Sequence, residues 1–147
     1  MRKFYLLLLF ALCAPAAAQA QTAADTAAIR GAALDYIEGW YTGDAARMER
    51  ALHPELAKRI VGTNAQSRRS RVEHMTAAEL VQGTRGGGGR NTPAGQQRKE
   101  VRILDIFGNA ASVRIDAARW VDYLHLGKVD GEWKIINVLW EMRAASR

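Results

Sequence analysis

The side chains able to move a proton or grip a polar atom gather in two short segments, Tyr36-Ile37-Glu38 and Asp122-Tyr123-Leu124-His125. A phenol is neutral at pH 7 and donates a hydrogen bond, an imidazole exchanges a proton near neutrality, and a carboxylate among apolar neighbours is a candidate acid. Each also has a structural use. Tyr36 and Trp40 sit on an apolar helical stripe, where they either pack in a core or line a pocket. His125, among Val121, Ile136 and Val138, is either a neutral ring with one satisfied hydrogen bond or a pocket acid or base. His53 precedes Pro54 at a helix end, where it suits the helix dipole, and His74 reads as a surface residue. Three histidines without an i,i+4 pair, and a single cysteine at position 13, make no metal-binding pattern, so neither metal nor cofactor is expected.

The elements that must position these groups follow from periodicity. Ala28, Ile29, Ala32, Ala33, Tyr36, Ile37 and Trp40 recur at steps of three and four, one stripe of an amphipathic helix with Asp25 as its N-cap and Gly43 as its stop. Asp44 caps a second short helix ending near His53-Pro54. Leu56 to Val61 reads as extended, and Thr76-Ala77-Ala78-Glu79 is a capping box for a third helix to about Gln82. Gly86 to Gly89, running on through Asn91, Thr92, Pro93 and Gly95, contains no large apolar residue to anchor it and should be mobile; no lysine and hydroxyl residue close it as a phosphate cradle. Glu100 to Phe107 is a strand, Ala111 to Leu126 a long strand that Ala117-Ala118 can bend, and Lys134 to Met142 the last strand.

Asp130-Gly131 is the signature of a two-residue hairpin. Pairing Val129 with Glu132 and counting without interruption sets His125 against Ile136, Tyr123 against Val138 and Val121 against Trp140. One face then carries Val121, Tyr123, His125, Ile136, Val138, Trp140 and Met142, and the other Trp120, Asp122, Leu124, Leu126, Trp133, Ile135, Asn137 and Leu139. Both faces are apolar enough to be covered. The rival register, slipped by one residue, exchanges the two faces and buries Asp122 in the interior as an acid.

Residues 1–20 read as a secretory signal: Arg2 and Lys3, an apolar run from Phe4 to Leu12, and the small-x-small site Ala18-Gln19-Ala20. The run is too short to span a bilayer, so no stable membrane insertion is expected after cleavage, and the protein is expected to be periplasmic or secreted. Cys13 offers a lipoprotein alternative, disfavoured by Leu12 before it. Cleavage after Ala20 leaves residues 21–147, 127 in number and free of cysteine, as a single domain stabilised by its core. Losing Arg2 and Lys3 lowers the basic count from 21 to 19 against 15 acids, a modest surplus of about +4. Arg68, Arg69, Arg71, Arg85, Arg90, Arg98 and Lys99 place much of it mid-chain, as a solvated face or a contact with an anionic envelope surface. Export, and the absence of aromatic residues among these bases, argue against nucleic acid.

Helices first and a curved antiparallel meander last describe an α+β domain. With Tyr36-Ile37-Glu38, Gly43-Asp44, His53-Pro54, Asp122-Tyr123-Leu124-His125-Leu126 and Asp130-Gly131-Glu132-Trp133-Lys134-Ile135, the chain resembles the nuclear transport factor 2-like (NTF2-like) superfamily, which includes ketosteroid isomerase and SnoaL-type cyclases. It most resembles an exported branch named for lumazine binding. The resemblance covers about 115 residues, essentially all of the chain beyond the signal. It implies a cone-shaped fold, N-terminal helices packed in the concave face of a strongly curved sheet.

The resemblance also implies site positions. Tyr36, eight residues before Asp44, matches an oxyanion donor of the isomerases. Their aspartate base falls on Ile60, which cannot take a proton, and their second donor falls on Tyr123. The cone wall would then be Tyr36, Trp40, Ile60, Tyr123, His125, Val138 and Trp140, binding a small, partly aromatic or carbonyl-bearing molecule without turnover. The alternatives are an isomerase, cyclase or dehydratase with His125 as base and Tyr36 and Tyr123 as oxyanion donors, and a structural dimer whose cone is filled by its own side chains. Superfamily members commonly pair through the outer sheet face, which implies a homodimer through Trp120, Leu124, Trp133, Ile135 and Leu139.

Overall fold

The computed structural model describes residues 14–63 and 68–143, with side chains from residue 23 onward. The apolar run expected to belong to an export signal, and Cys13, lie outside the described residues. Helix α1 (Ala14–Thr42) buries Ile29, Ala33, Tyr36, Ile37 and Tyr41, so the expected stripe is observed with Tyr41 added and Ala28 left exposed. Asp25 is not its N-cap, because the helix begins earlier. The Asp25 carboxylate instead accepts from Lys128 Nζ (2.7 Å) and Trp133 Nε1 (2.9 Å), tying α1 to the last hairpin. Gly43, at φ +71°, ends the helix, and Arg90 Nε donates to the Thr42 carbonyl (3.1 Å). Helix α2 (Ala45–Ala51), capped by Asp44, folds back on α1 through Arg47, which bridges Asp35 and Glu38. No helix among the described residues is long and apolar enough to cross a membrane.

The remaining elements are β1 (Leu52–Thr63), β2 (Ser70–Thr76), α3 (Ala77–Arg85), β3 (Lys99–Phe107), β4 (Ala110–Ala117), β5 (Trp120–Val129) and β6 (Glu132–Met142). The six strands form one sheet in the order β2-β1-β6-β5-β4-β3, antiparallel except for the parallel pair β1-β6. The three helices pack on its concave face, giving the expected α+β cone. The Thr76 capping box forms with both of its hydrogen bonds. His53 lies at the start of β1 rather than capping a helix, with Nδ1 accepting from the Glu55 amide.

Three expectations are corrected. The long strand Ala111–Leu126 is two strands, β4 and β5, paired antiparallel and folded back at Ala118-Arg119. No glycine, asparagine or proline marks that reversal. It is held by tertiary hydrogen bonds, from the Ala118 amide to Tyr41 Oη (3.0 Å) and from the Arg143 amide to the Arg119 carbonyl (2.7 Å). The glycine run is not a loose loop: it forms successive turns whose amides bond to Gly83, Thr84 and Gly87 carbonyls, and it lies against Trp40. A Cβ on Gly88 or Gly89 would overlap the Trp40 indole, so the anchor lacking in the local sequence comes from α1.

The third correction fixes the faces of the sheet. The hairpin turn is where Asp130-Gly131 places it, and Val129 pairs with Glu132, but β6 carries a bulge: Leu126 pairs with Ile135 and His125 with Asn137, leaving Ile136 unpaired. Residues 120–126 of β5, with Trp133 and Ile135 of β6, therefore take the opposite face from the one expected by uninterrupted counting, while Val138 and Trp140 keep theirs. Leu124 now pairs with Val138 and Asp122 with Trp140.

Candidate functional site

The inner face of the sheet, beneath α1, carries Lys58 and Ile60 on β1, Asp122 and Leu124 on β5, and Val138 and Trp140 on β6. One row runs from Ile60 through Trp140 to Asp122, and the next from Lys58 through Val138 to Leu124. The lysine chain crosses diagonally between them, with its ammonium 4.7 Å from the Trp140 ring centre. Nζ donates to Asp122 Oδ1 at 2.9 Å and to Tyr36 Oη at 2.7 Å. Tyr36 Oη in turn donates to Asp122 Oδ1 (3.3 Å), and Trp120 Nε1 donates to Asp122 Oδ2 (2.6 Å). Asp122 is completely buried, and Tyr36 and Lys58 retain 3% and 7% of their surface.

An ion pair so far from water carries a large desolvation cost, offset here by hydrogen bonds to both carboxylate oxygens. Burial pushes the Lys58 ammonium below the ordinary lysine range, with Asp122 opposing the shift. Burial, and then the charge of Asp122, push the Tyr36 phenol well above its ordinary value, so it remains a hydrogen-bond donor at any physiological pH. The floor of the cone is thus an amine, a phenol and a carboxylate within hydrogen-bonding distance of one another. Its walls are aromatic and aliphatic. Toward the open edge the same face continues into half-buried Ile60, Trp120 and Trp140 and the exposed Met75 and Met142.

Of the residues expected at the site, Tyr36, Ile60, Val138 and Trp140 lie on the interior. Trp40 lies one helical turn from Tyr36, with its ring against Gly83, Gly88 and Gly89. Tyr123 and His125 do not join them. The bulge at Ile136 turns both outward, leaving Tyr123 44% exposed and pairing His125 with Ser112 and Asn137 on the outer face. The expected interface set is reversed by the same shift: Leu124, Trp133 and Ile135 are buried beneath α1 and Trp120 bonds to Asp122, so only Leu139 of that group is on the outside. Asp122 takes the interior place that the slipped register gave it. Lys58 escaped the sequence reading, although a signal was present: Leu56 and Ile60 flank it at steps of two on an alternating strand, which sets its parity inward.

Elsewhere, a surface cleft of about 340 Å³ lies between α2, the start of β1 and α3, floored by Leu52, Pro54 and Val81 and edged by Glu49, His53 and Arg85. It does not open on Lys58, Asp122 or Tyr36, none of which lines it.

The fold is shared with known proteins. Residues 24–141 match the family described as "Putative lumazine-binding". No curated protein shows a significant sequence match. Among solved structures, an NTF2-like protein of unknown function from Shewanella baltica is similar with 22% identity and TM-score 0.62, over 84% of this chain and 97% of that one. An NTF2-like protein with a cystatin-like fold from Novosphingobium aromaticivorans is 14% identical with TM-score 0.67, over 89% and 90%. A ketosteroid isomerase-like protein from Erwinia carotovora atroseptica is 14% identical with TM-score 0.53, over 80% and 95%. At such identities the likeness shows the fold alone, whereas the family match spans most of the sequence. The chain therefore has an NTF2-like fold and belongs to the family described as "Putative lumazine-binding".

Proposed function

We propose that this is an exported domain, acting in the periplasm or outside the cell, that binds a small, flat, carbonyl-bearing molecule in its cone without turning it over. The observation that carries the reading is the polar floor of Lys58, Tyr36 and Asp122 set beneath the Trp140 indole and open toward half-buried aromatic and methionine side chains. Few polar groups converging within apolar walls is the general character of a ligand site. The ammonium and phenol supply donors for a carbonyl oxygen, and the indole supplies a stacking surface. A His125-based enzyme is not supported by the arrangement, because an exposed imidazole on the far side of the sheet cannot reach a proton beside Tyr36. The self-filled cone keeps one observation in its favour: the three floor groups satisfy one another, and no buried side-chain polar atom among the described residues lacks a partner.

Homodimerisation through the outer sheet face is carried forward on the corrected residues, Tyr123 and Leu139, with Val61 and Val72 beyond them, all at least 44% exposed.

Native mass spectrometry of the protein purified from its own host, followed by tryptophan-fluorescence titration with flat heteroaromatic carbonyl compounds including lumazine, tests the reading. One small molecule per chain is expected, with binding weakened about tenfold or more in Trp140→Leu. No bound mass, no uptake from the panel and no difference between wild type and variant would establish the self-filled cone instead.

A further inference from the structure

We propose that Lys58 captures its carbonyl ligand covalently, as a Schiff base, at the floor of the cone. The proposal deepens the ligand-site reading and rests on it. Three features of the geometry carry it. Among the described residues Lys58 is the lysine held in the interior, whereas Lys99, Lys128 and Lys134 extend to acids or carbonyls nearer the surface. Its amine is next to both a proton acceptor, Asp122, and a phenol able to relay a proton, Tyr36. Its remaining side faces the Trp140 ring 4.7 Å away, and the lysine side chain as a whole keeps 9% of its surface accessible.

The groups facing Nζ are Tyr36 from α1, Asp122 from β5 and the neutral Trp140 from β6; Glu73 on β2, opposite Ile60, is engaged by Arg71 at 2.9 Å. The chemistry balances within this set. The ammonium passes one proton to the Asp122 carboxylate, and the freed nitrogen lone pair attacks the carbonyl carbon while the C=O π pair moves onto oxygen. A second proton travels from nitrogen to that oxygen through the Tyr36 hydroxyl, giving a neutral carbinolamine. Asp122 then returns its proton to the hydroxyl, the C–O bond breaks, water leaves, and the nitrogen lone pair forms the C=N bond. The product is a protonated imine beside an ionised Asp122. The site begins and ends with one positive nitrogen and one carboxylate, so the pairing that holds the lysine also holds the adduct. Burial lowers the cost of the first proton transfer, since it already disfavours the charged amine.

Benzaldehyde with cyanoborohydride, applied to the mature protein near neutral pH and followed by intact mass and peptide mapping, provides the test. Besides the N-terminal α-amine, which reacts near neutral pH in any protein, we expect a single benzyl group on lysine, at Lys58, added about tenfold or more faster than on Lys99, Lys128 or Lys134. Lys58→Arg, checked for folding by circular dichroism, removes that adduct. The wild-type labelling pattern needs no variant and decides the matter alone: even labelling of all four lysines, or none at Lys58, overturns the proposal. Tryptophan fluorescence in the same mixture without reductant separates the two readings. Saturable binding without an adduct overturns covalent capture and leaves the ligand site standing; neither binding nor adduct overturns both.

Discussion

Asp116 and Asp122 are buried acids on adjacent strands, facing opposite sides of one sheet, and they are held in opposite ways. On the outer face, Asp116 lies beneath guanidinium groups: Arg114 grips both its oxygens (2.8 and 2.9 Å), Arg143 reaches Oδ1 (2.6 Å), and Arg102 stands 3.7 Å away. Guanidinium stays charged at any ordinary pH, so this carboxyl is locked, its pKa lowered to about 2 chiefly by the Arg114 hydrogen bonds. On the inner face, Asp122 is held by an amine, a phenol and an indole N–H. Two of those partners can pass protons, and the amine is already disfavoured in its charged form. Equal burial therefore has two meanings here: Asp116 pins strands together through guanidinium groups, while Asp122 gathers the Lys58 amine, the Tyr36 phenol and the Trp120 indole beneath the helix.

The largest effect is expected on the inner side. Asp122→Ala leaves the Lys58 charge buried without a counter-charge and should cost about 3–5 kcal/mol in urea unfolding. A loss below about 1 kcal/mol would mean that the pair is wetter than its burial indicates. Asp116→Asn should cost less, about 2 kcal/mol at neutral pH, from the lowering of the carboxyl from 3.8 to about 2. The sign follows from the lowered pKa: this stability is present above about pH 4 and disappears as pH falls toward 2, so the variant should lack that part of the acid limb. Identical acid limbs would break the comparison. Smallest is Arg102→Ala, within about 0.5 kcal/mol, because Arg102 is largely exposed and its ion pair with Asp116 is long.

The sequence carried the architecture further than the site. The α1 stripe, the Thr76-Glu79 capping box and the Asp130-Gly131 turn rest on interactions within a few residues, and all three are observed. What was not legible depends on contacts distant in sequence: the reversal at Ala118-Arg119 needs Tyr41, and the glycine turns need Trp40. Strand β2 was missed because all its residues are exposed and it presents no apolar alternation. Strand parity failed at one residue, Ile136. A hint lay in Gly127, where a Cβ would come within 2.5 Å of Ile136 Cδ1: a glycine inside a strand marks a place where something else presses close. That bulge moved Tyr123 and His125 outward and Asp122 inward.

The strand that comes last in chain order among those described is not at the margin of the sheet but in its middle, between β1 and β5. Until residues 132–142 leave the ribosome, the chain holds two unjoined flaps, one bearing Lys58 and the other Asp122. The wall between them does not yet exist, because Trp140 and Val138 belong to the missing piece. Pairing β1 with β6 closes a loop of some eighty residues, a slow event that cannot begin before residues 132–142 have been made. A nascent chain of this kind stays open, with its amine and its carboxylate apart, until the eleven-residue strand β6 joins the two halves of the sheet.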